Sequence, residues 1–112
     1  MPCTPEEFAR LAELGLQASP ISEILIEQSI AGWKEFELEV MRDYADNVVI
    51  VCSIENLDAM GVHTGDSFCS APMLTISAEL QARLQKHSYD VAEAIEVIGG
   101  TNVQFAHDPK TG

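Results

Sequence analysis

The feature that most constrains this chain is the run Glu35-Phe36-Glu37-Leu38-Glu39-Val40, in which acidic and apolar side chains alternate without a break. Successive residues of a strand point to opposite faces, so this run is a strand with three carboxylates on one face and three apolar groups on the other. The carboxylates stand about 6.7 Å apart at a rise near 3.4 Å per residue. Mutual repulsion favours water or cations around them, and composition alone favours a solvated sheet face over a ligand or metal role. Lys34 and Arg42 flank the run and neutralise part of it.

The polar segment Asp43 to Asn47 follows, and then the β-branched run Val48-Val49-Ile50-Val51-Cys52. Two such runs across a short turn predict an antiparallel hairpin. Upstream, Thr4-Pro5-Glu6-Glu7 joins a capping hydroxyl, a proline at the first helical position and a glutamate three residues after the cap. It predicts a helix with Phe8, Leu11, Leu14 and Ala12 on one face, ending near Gly15 before Ser19-Pro20. Ile24-Leu25-Ile26 reads as a short buried strand ahead of the turn at Ala31-Gly32.

Asn56 to Ser70 is polar and glycine-rich and reads as a loop. Ser77 then caps a second helix whose Leu80, Leu84, Val91 and Ile95 form a stripe, with His87 at its core edge and the end near Gly99-Gly100. Asn102 to Ala106 is a last strand, followed by the turn signal Asp108-Pro109-Lys110-Thr111-Gly112 with nothing to pair after it. The predicted architecture is α+β, a mostly antiparallel sheet with two main helices on one face.

The chain has 112 residues, 46% of them apolar, which allows one domain with a modest core and argues against disorder. The longest apolar run is far short of the roughly 20 residues that span a bilayer, so no membrane partner is expected. Eighteen acidic against six basic side chains give a net charge of -12, and Arg10, Lys34, Arg42, Arg83, Lys86 and Lys110 are scattered. Direct nucleic-acid binding is disfavoured, and a triphosphate would need metal ions or oriented amides to make up the missing cations. Cys3, Cys52 and Cys69 show no CxxC spacing, so neither a disulfide framework nor a zinc knuckle is indicated; with no secretory pattern at the start, a reducing cytoplasm fits best.

Other constellations decide less. Gly61-Val62-His63-Thr64-Gly65-Asp66-Ser67 sets a histidine between glycines, which permit close backbone approach to a ligand, but the lysine of a Walker loop is absent and a surface turn is the plainer reading. Cys52 lies inside an apolar strand, and no spacing pairs His63, His87 or His107 with Cys3 or Cys69 as a nucleophile and base. Asn102 and Gln104 share a strand face, fit either for a hard cation or for bonds to neighbours.

The strings GWKEFELEVMRD (Gly32 to Asp43), VCSIENLDAMGVHTGDS (Val51 to Ser67) and GGTNVQFA (Gly99 to Ala106), in this order and at these separations, resemble the large chain of carbamoyl phosphate synthetase. They are most similar to its amino-terminal ATP-grasp half, and the resemblance covers nearly the whole chain from about Thr4. It implies an ATP-grasp-like fragment from a cytoplasmic ligase that phosphorylates bicarbonate to carboxyphosphate, which ammonia then attacks, a reaction serving arginine and pyrimidine biosynthesis. It implies ATP and Mg2+ or Mn2+ as cofactors. By position, Glu35 resembles the acid at the ribose, Gln28 and Ile30 the residues at the adenine, Gly61, Val62 and His63 the loop at the nucleotide and its phosphates, and Gln104 a divalent-metal ligand. These roles override the plainer readings of Glu35 and His63, whereas Glu37 and Glu39 keep theirs.

Gln28 stands where the family has an acid. The family's glycine-rich loop and phosphate-binding arginines precede a helix like the one at Thr4, but here Met1-Pro2-Cys3 leads straight into it, and the strand with the metal-binding Glu and Asn would lie beyond Gly112. The expectation is a single partial domain over residues 1–112, with the adenosine side of a site recognisable, no catalytic residue of its own and no activity alone, working with other segments or subunits of a synthetase. A third reading, weak independent nucleotide binding, lies between this one and the alternative that follows. The alternative is a non-catalytic interaction module that pairs its sheet edge with a partner or forms a homo-oligomer.

Overall fold

The computed structural model describes residues 4–112, without the side chain of Thr64. Cys3 therefore lies outside the described residues. Helix α1 spans Pro5–Ala18, and strands β1 (Lys34–Arg42) and β2 (Val48–Ala59) form the expected hairpin. A 3-10 turn at Thr64–Asp66, the two-residue strand β3 (Cys69–Ser70), helix α2 (Ala78–Ala94) and strand β4 (Gly99–His107) complete the order. The sheet runs β3-β2-β1-β4 and each pairing is antiparallel, which makes the fold α+β. No helix among the described residues is long and apolar enough to cross a membrane.

Local chemistry explains most of the boundaries. The Glu7 amide donates to Thr4 Oγ1 at 3.2 Å, closing the cap of α1, and the Leu80 amide donates to Ser77 Oγ at 3.1 Å to do the same for α2. The β1–β2 turn is organised by Asp43, whose carboxylate accepts from the Ala45 and Asn47 amides at 2.9 Å and from Asn47 Nδ2 at 2.8 Å. The Asn47 side chain first, with those amides, holds the Asp43 carboxyl below the usual range. Within this turn Asp46 takes a left-handed φ of 64°, and Arg42 grips its carboxylate at 2.8 Å.

The core lies between one face of the sheet and α2. Phe36, Leu38 and Val40 are sealed from water against Met73, Leu84 and Ala92, with Val48, Ile50, Leu80, Val103 and Phe105 around them. The alternation in β1 thus places its apolar half as expected. On α2 the buried stripe is Leu84, Ser88 and Ala92, whereas Val91 and Ile95 are exposed. The expected stripe is displaced because small side chains at Ser88 and Ala92 allow the helix backbone close to the sheet, and the Ser88 hydroxyl is satisfied by the Leu84 carbonyl at 2.9 Å. His87 is exposed rather than at the core edge.

Three further expectations are corrected. Helix α1 runs past Gly15 to Ala18, because Leu16, Gln17 and Ala18 are tolerant of helix and Ser19-Pro20 provides the stop. Gly15 serves packing instead: a Cβ there would stand 3.1 Å from Ile24 Cγ2. Ile24-Leu25-Ile26 is not a buried strand; both neighbours of β1 are taken by β2 and β4, and the three residues are exposed to 36%, 83% and 60%. With Phe8, Leu11 and Ala12 they line an open groove of about 450 Å³, and α1 itself contains no buried residue. Lastly, Asn56 to Ala59 is strand rather than loop, because β2 continues alongside β1 and turns only at Met60.

Candidate functional site

The sheet face turned away from α2 carries Glu35, Glu37 and Glu39 from β1, Asn56 from β2, and Asn102 and Gln104 from β4. The solvated face that composition favours is not what forms. Glu35 is 4% and Glu37 7% exposed, and Glu39 is half-buried. A buried carboxylate is costly unless its oxygens accept hydrogen bonds, and these acids have partners. Asn56 Nδ2 donates to Glu37 Oε1 at 2.7 Å, and Asn102 Nδ2 donates to Glu37 Oε2 at 3.1 Å and to Glu39 Oε1 at 2.8 Å. Glu37, left with the plain reading in the sequence, is therefore a structured part of this face.

The loop after β2 is pinned at its neck. The Leu57 amide donates to the Phe68 carbonyl at 2.8 Å, the Phe68 amide to Asp58 Oδ2 at 3.1 Å, and Ser67 Oγ to Asn56 Oδ1 at 2.7 Å. Inside the loop the Gly65 amide donates to His63 Nδ1 at 3.1 Å, and the ring itself is exposed. Gly65 is needed for that closeness, since a Cβ would meet the imidazole at 3.2 Å. Gly61 turns the chain at φ 109°, a conformation open to glycine at no steric cost. Gly61, Val62 and His63 are all exposed.

The segment before β1 joins this loop through the backbone. Met60 donates to the Trp33 carbonyl at 2.8 Å, and Trp33 to the Ile30 carbonyl at 3.0 Å. Ile30 is thereby tied to the residue that precedes Gly61, and it is half-buried, while Gln28 is exposed in an irregular stretch. Gln104 is exposed on β4 and stands opposite Glu37 in the ladder, with Ala106 opposite Glu35. So the segment that holds Ile30 and the loop that holds Gly61–His63 are joined through Trp33 and Met60 at one end of the sheet, and Glu35 and Gln104 share one face, whereas Gln28 is placed by none of these contacts.

An amide oxygen such as that of Gln104 suits a hard cation. Among the described residues no group of three or more His, Cys, Asp or Glu could hold a metal, so these residues fit a metal as one ligand from a larger set. The cations do not gather here: Arg42 bonds Asp46 and the Val97 carbonyl, Lys86 bonds Asp90, and Arg83 bonds the Gly112 carbonyl.

Sequence reasoning missed Asn56 and Ser67, and it left Asn102 undecided. The available signal was the parity of β2, which puts Asn56 on the carboxylate face once the strand is carried through to Ala59. Reading a loop from Asn56 hid that parity.

Comparison with known proteins agrees with the strings. Residues 2–112 match the family described as carbamoyl-phosphate synthase L chain, ATP binding domain. The chain is 55% identical over 108 residues to the carbamoyl phosphate synthase large chain of Nostoc sp., covering 96% of this chain and 10% of that one. It is 55% identical over 108 residues to that of Xylella fastidiosa, with the same coverage, and 55% identical over 107 residues to that of Helicobacter pylori, covering 95% and 10%. It thus spans about a tenth of the length of the curated relatives it matches. With a match that takes in the sheet, the loop and both helices, this chain belongs to the family of carbamoyl phosphate synthase large-chain ATP-binding domains.

Proposed function

We propose that these 112 residues are one partial ATP-grasp-like domain that supplies the adenosine-facing side of an ATP site in a cytoplasmic carbamoyl phosphate synthetase, for the step that phosphorylates bicarbonate. Glu35 receives the ribose hydroxyls, Gln28 and Ile30 border the adenine, Gly61, Val62 and His63 approach the phosphates, and Gln104 offers one oxygen to Mg2+ or Mn2+. The observation that carries this reading is the burial of Glu35 at 4% exposure on the face it shares with Gln104. Chains rarely bury an acid without a use for it, and a carboxylate held in a dry site is an acceptor of the kind vicinal hydroxyls need.

The polypeptide alone binds nucleotide weakly and does not turn it over, because it has few cations, of which Arg42, Arg83 and Lys86 are engaged elsewhere, and other segments of the synthetase complete the phosphate and metal shell. Calorimetry with ATP and Mg2+ tests this: heat of binding that disappears in Glu35→Ala and His63→Ala supports it, and no heat at millimolar ATP overturns it for this chain. One observation favours a second reading, an interaction module. The nine-residue strand β4 pairs only with β1 among the described residues, leaving an open edge for a partner strand or a second copy. A sedimentation mass twice the monomer value would support a homo-oligomer, and a clean monomer would count against it.

A further inference from the structure

Three parts of the candidate site converge on Glu37. It is two residues from Glu35 on β1, it stands opposite Gln104 in the ladder with β4, and both its oxygens are held by amides that lead elsewhere. Through Oε1 it reaches Asn56, whose carbonyl oxygen accepts from Ser67 Oγ at the end of the Gly61–Ser67 loop. Through Oε2 it reaches Asn102, two residues from Gln104 on the same face of β4. The path Ser67, Asn56, Glu37, Asn102 runs unbroken from loop to strand.

The charge on Glu37 gives this path its direction. An ionised carboxylate only accepts, so both asparagines present their NH2 groups to it, and Asn56 is then obliged to aim its oxygen at Ser67. A neutral amide in place of Glu37 would fill the same volume but both donate and accept, so the Asn56 carboxamide could turn over and release Ser67. Hydrogen-bonded networks with every member satisfied hold their surroundings in one arrangement; here the Asn56–Glu37 link is buried between paired strands, Asn102 extends it to the exposed side of β4, and Ser67 extends it into the loop.

We propose that Glu37 is a positioning residue that holds the loop Gly61–Ser67 and the Gln104 stretch of β4 in one fixed relation, so that a divalent cation and a nucleotide strengthen each other's binding. The proposal rests on the nucleotide reading given above.

The test uses the full chain, with ATP titrated in the presence and absence of Mn2+, and amide hydrogen exchange measured on the same samples. Binding of ATP to the unsubstituted chain should be tightened by Mn2+. Glu37→Gln should reduce that enhancement about tenfold, a typical size for coupling between sites, while Glu35→Gln should weaken ATP by the same factor with and without the metal. Amide exchange in Glu37→Gln should quicken both at Val62–Ser67 and at Asn102–Gln104. An unchanged Mn2+ enhancement overturns the proposal, and so does faster exchange in only one of the two segments or in neither. If the unsubstituted chain binds no ATP, the nucleotide reading fails, and the exchange measurement alone decides whether Glu37 joins loop to strand. Should Glu37→Gln fail to fold, Ser67→Ala cuts the outer link and leaves the acid in place: faster exchange across Val62–Ser67 supports the proposal, and unchanged exchange overturns it.

Discussion

Asn56 Nδ2 meets Glu37 Oε1 at 2.7 Å across the β1–β2 ladder, both residues buried, on the sheet face that α2 does not cover. The pair shows that one part of this face, around Glu35, Glu37 and Asn56, is closed to water although it is built from polar groups, whereas the opposite face is closed by Phe36, Leu38 and Val40. An apolar replacement at Asn56 would take away one of the two amides that satisfy the Glu37 carboxylate. Losing a hydrogen bond to a buried charge costs about 2 kcal/mol. Asn56→Leu should therefore lower the urea midpoint by that equivalent with little change in slope, and a midpoint at the unsubstituted value would show that Glu37 finds other partners.

On the opposite side of the sheet Glu55 holds the connection into α2. Its carboxylate accepts from the Leu74 amide at 3.1 Å and the Thr75 amide at 3.0 Å, and the Thr75 hydroxyl donates to its other oxygen. Burial raises the Glu55 carboxyl, but the Thr75 hydroxyl and the two amides outweigh it, so it lies below its ordinary 4.5. A carboxyl that is more acidic when folded contributes stability fully above its unfolded pKa, and that contribution fades as pH falls through the folded one. Chemical denaturation between pH 7 and pH 3 should show stability declining below the ordinary value. Glu55→Gln should cost about 2 kcal/mol at neutral pH and flatten that decline, since neutral hydrogen bonds replace charge-assisted ones. An acid limb of unchanged steepness would remove Glu55 as its source.

The two helices have caps of the same kind and should respond to losing them differently. Ser77 caps α2, which carries Leu84, Ser88 and Ala92 into the core, so Ser77→Ala should shift the cooperative unfolding midpoint by about 1 kcal/mol. Thr4 caps α1, which has no buried residue. Thr4→Ala should lower helical circular dichroism while leaving that midpoint in place. Equal midpoint shifts would mean that α1 is part of the same cooperative unit.

The sequence was most legible where a local pattern is also the tertiary one. The strand over Glu35–Val40 with its apolar half turned to the core, the cap signatures at Thr4 and Ser77 and the Asp43–Asn47 turn each act within a few residues, and each forms as read. The reading failed where a segment's fate depends on who its neighbours are. Ile24–Ile26 has the composition of a strand but finds both sides of β1 occupied, and Val91 has the spacing of a core residue on a helix that turns Ser88 inward. The site divides in the same way. Spacing alone brings Glu35, Glu37, His63 and Gln104 to notice and the strings give three of them roles, while the link from Glu37 to Asn56 becomes visible only when ladder register sets their carboxylate and amide together.

Gly15 tests whether the segment after α1 is held against it. A helical glycine is worse than alanine by about 0.5–1 kcal/mol, so Gly15→Ala would ordinarily stabilise α1. Here the added Cβ would lie 3.1 Å from Ile24 Cγ2, closer than comfortable contact, and the Ile24 side chain must yield a few tenths of an ångström. Ile24 is 36% exposed, which leaves it room to do so at some loss of contact with the helix. The two effects oppose each other, and Gly15→Ala alone should change the helix signal little. In an Ile24→Ala background the obstacle is gone and the same substitution should recover the full propensity gain, about 0.8 kcal/mol. Thermal melts of the helical signal for the four chains give the interaction directly as the difference between the two steps. A gain of the same size in both backgrounds would mean that Ile24 does not rest on Gly15 in solution.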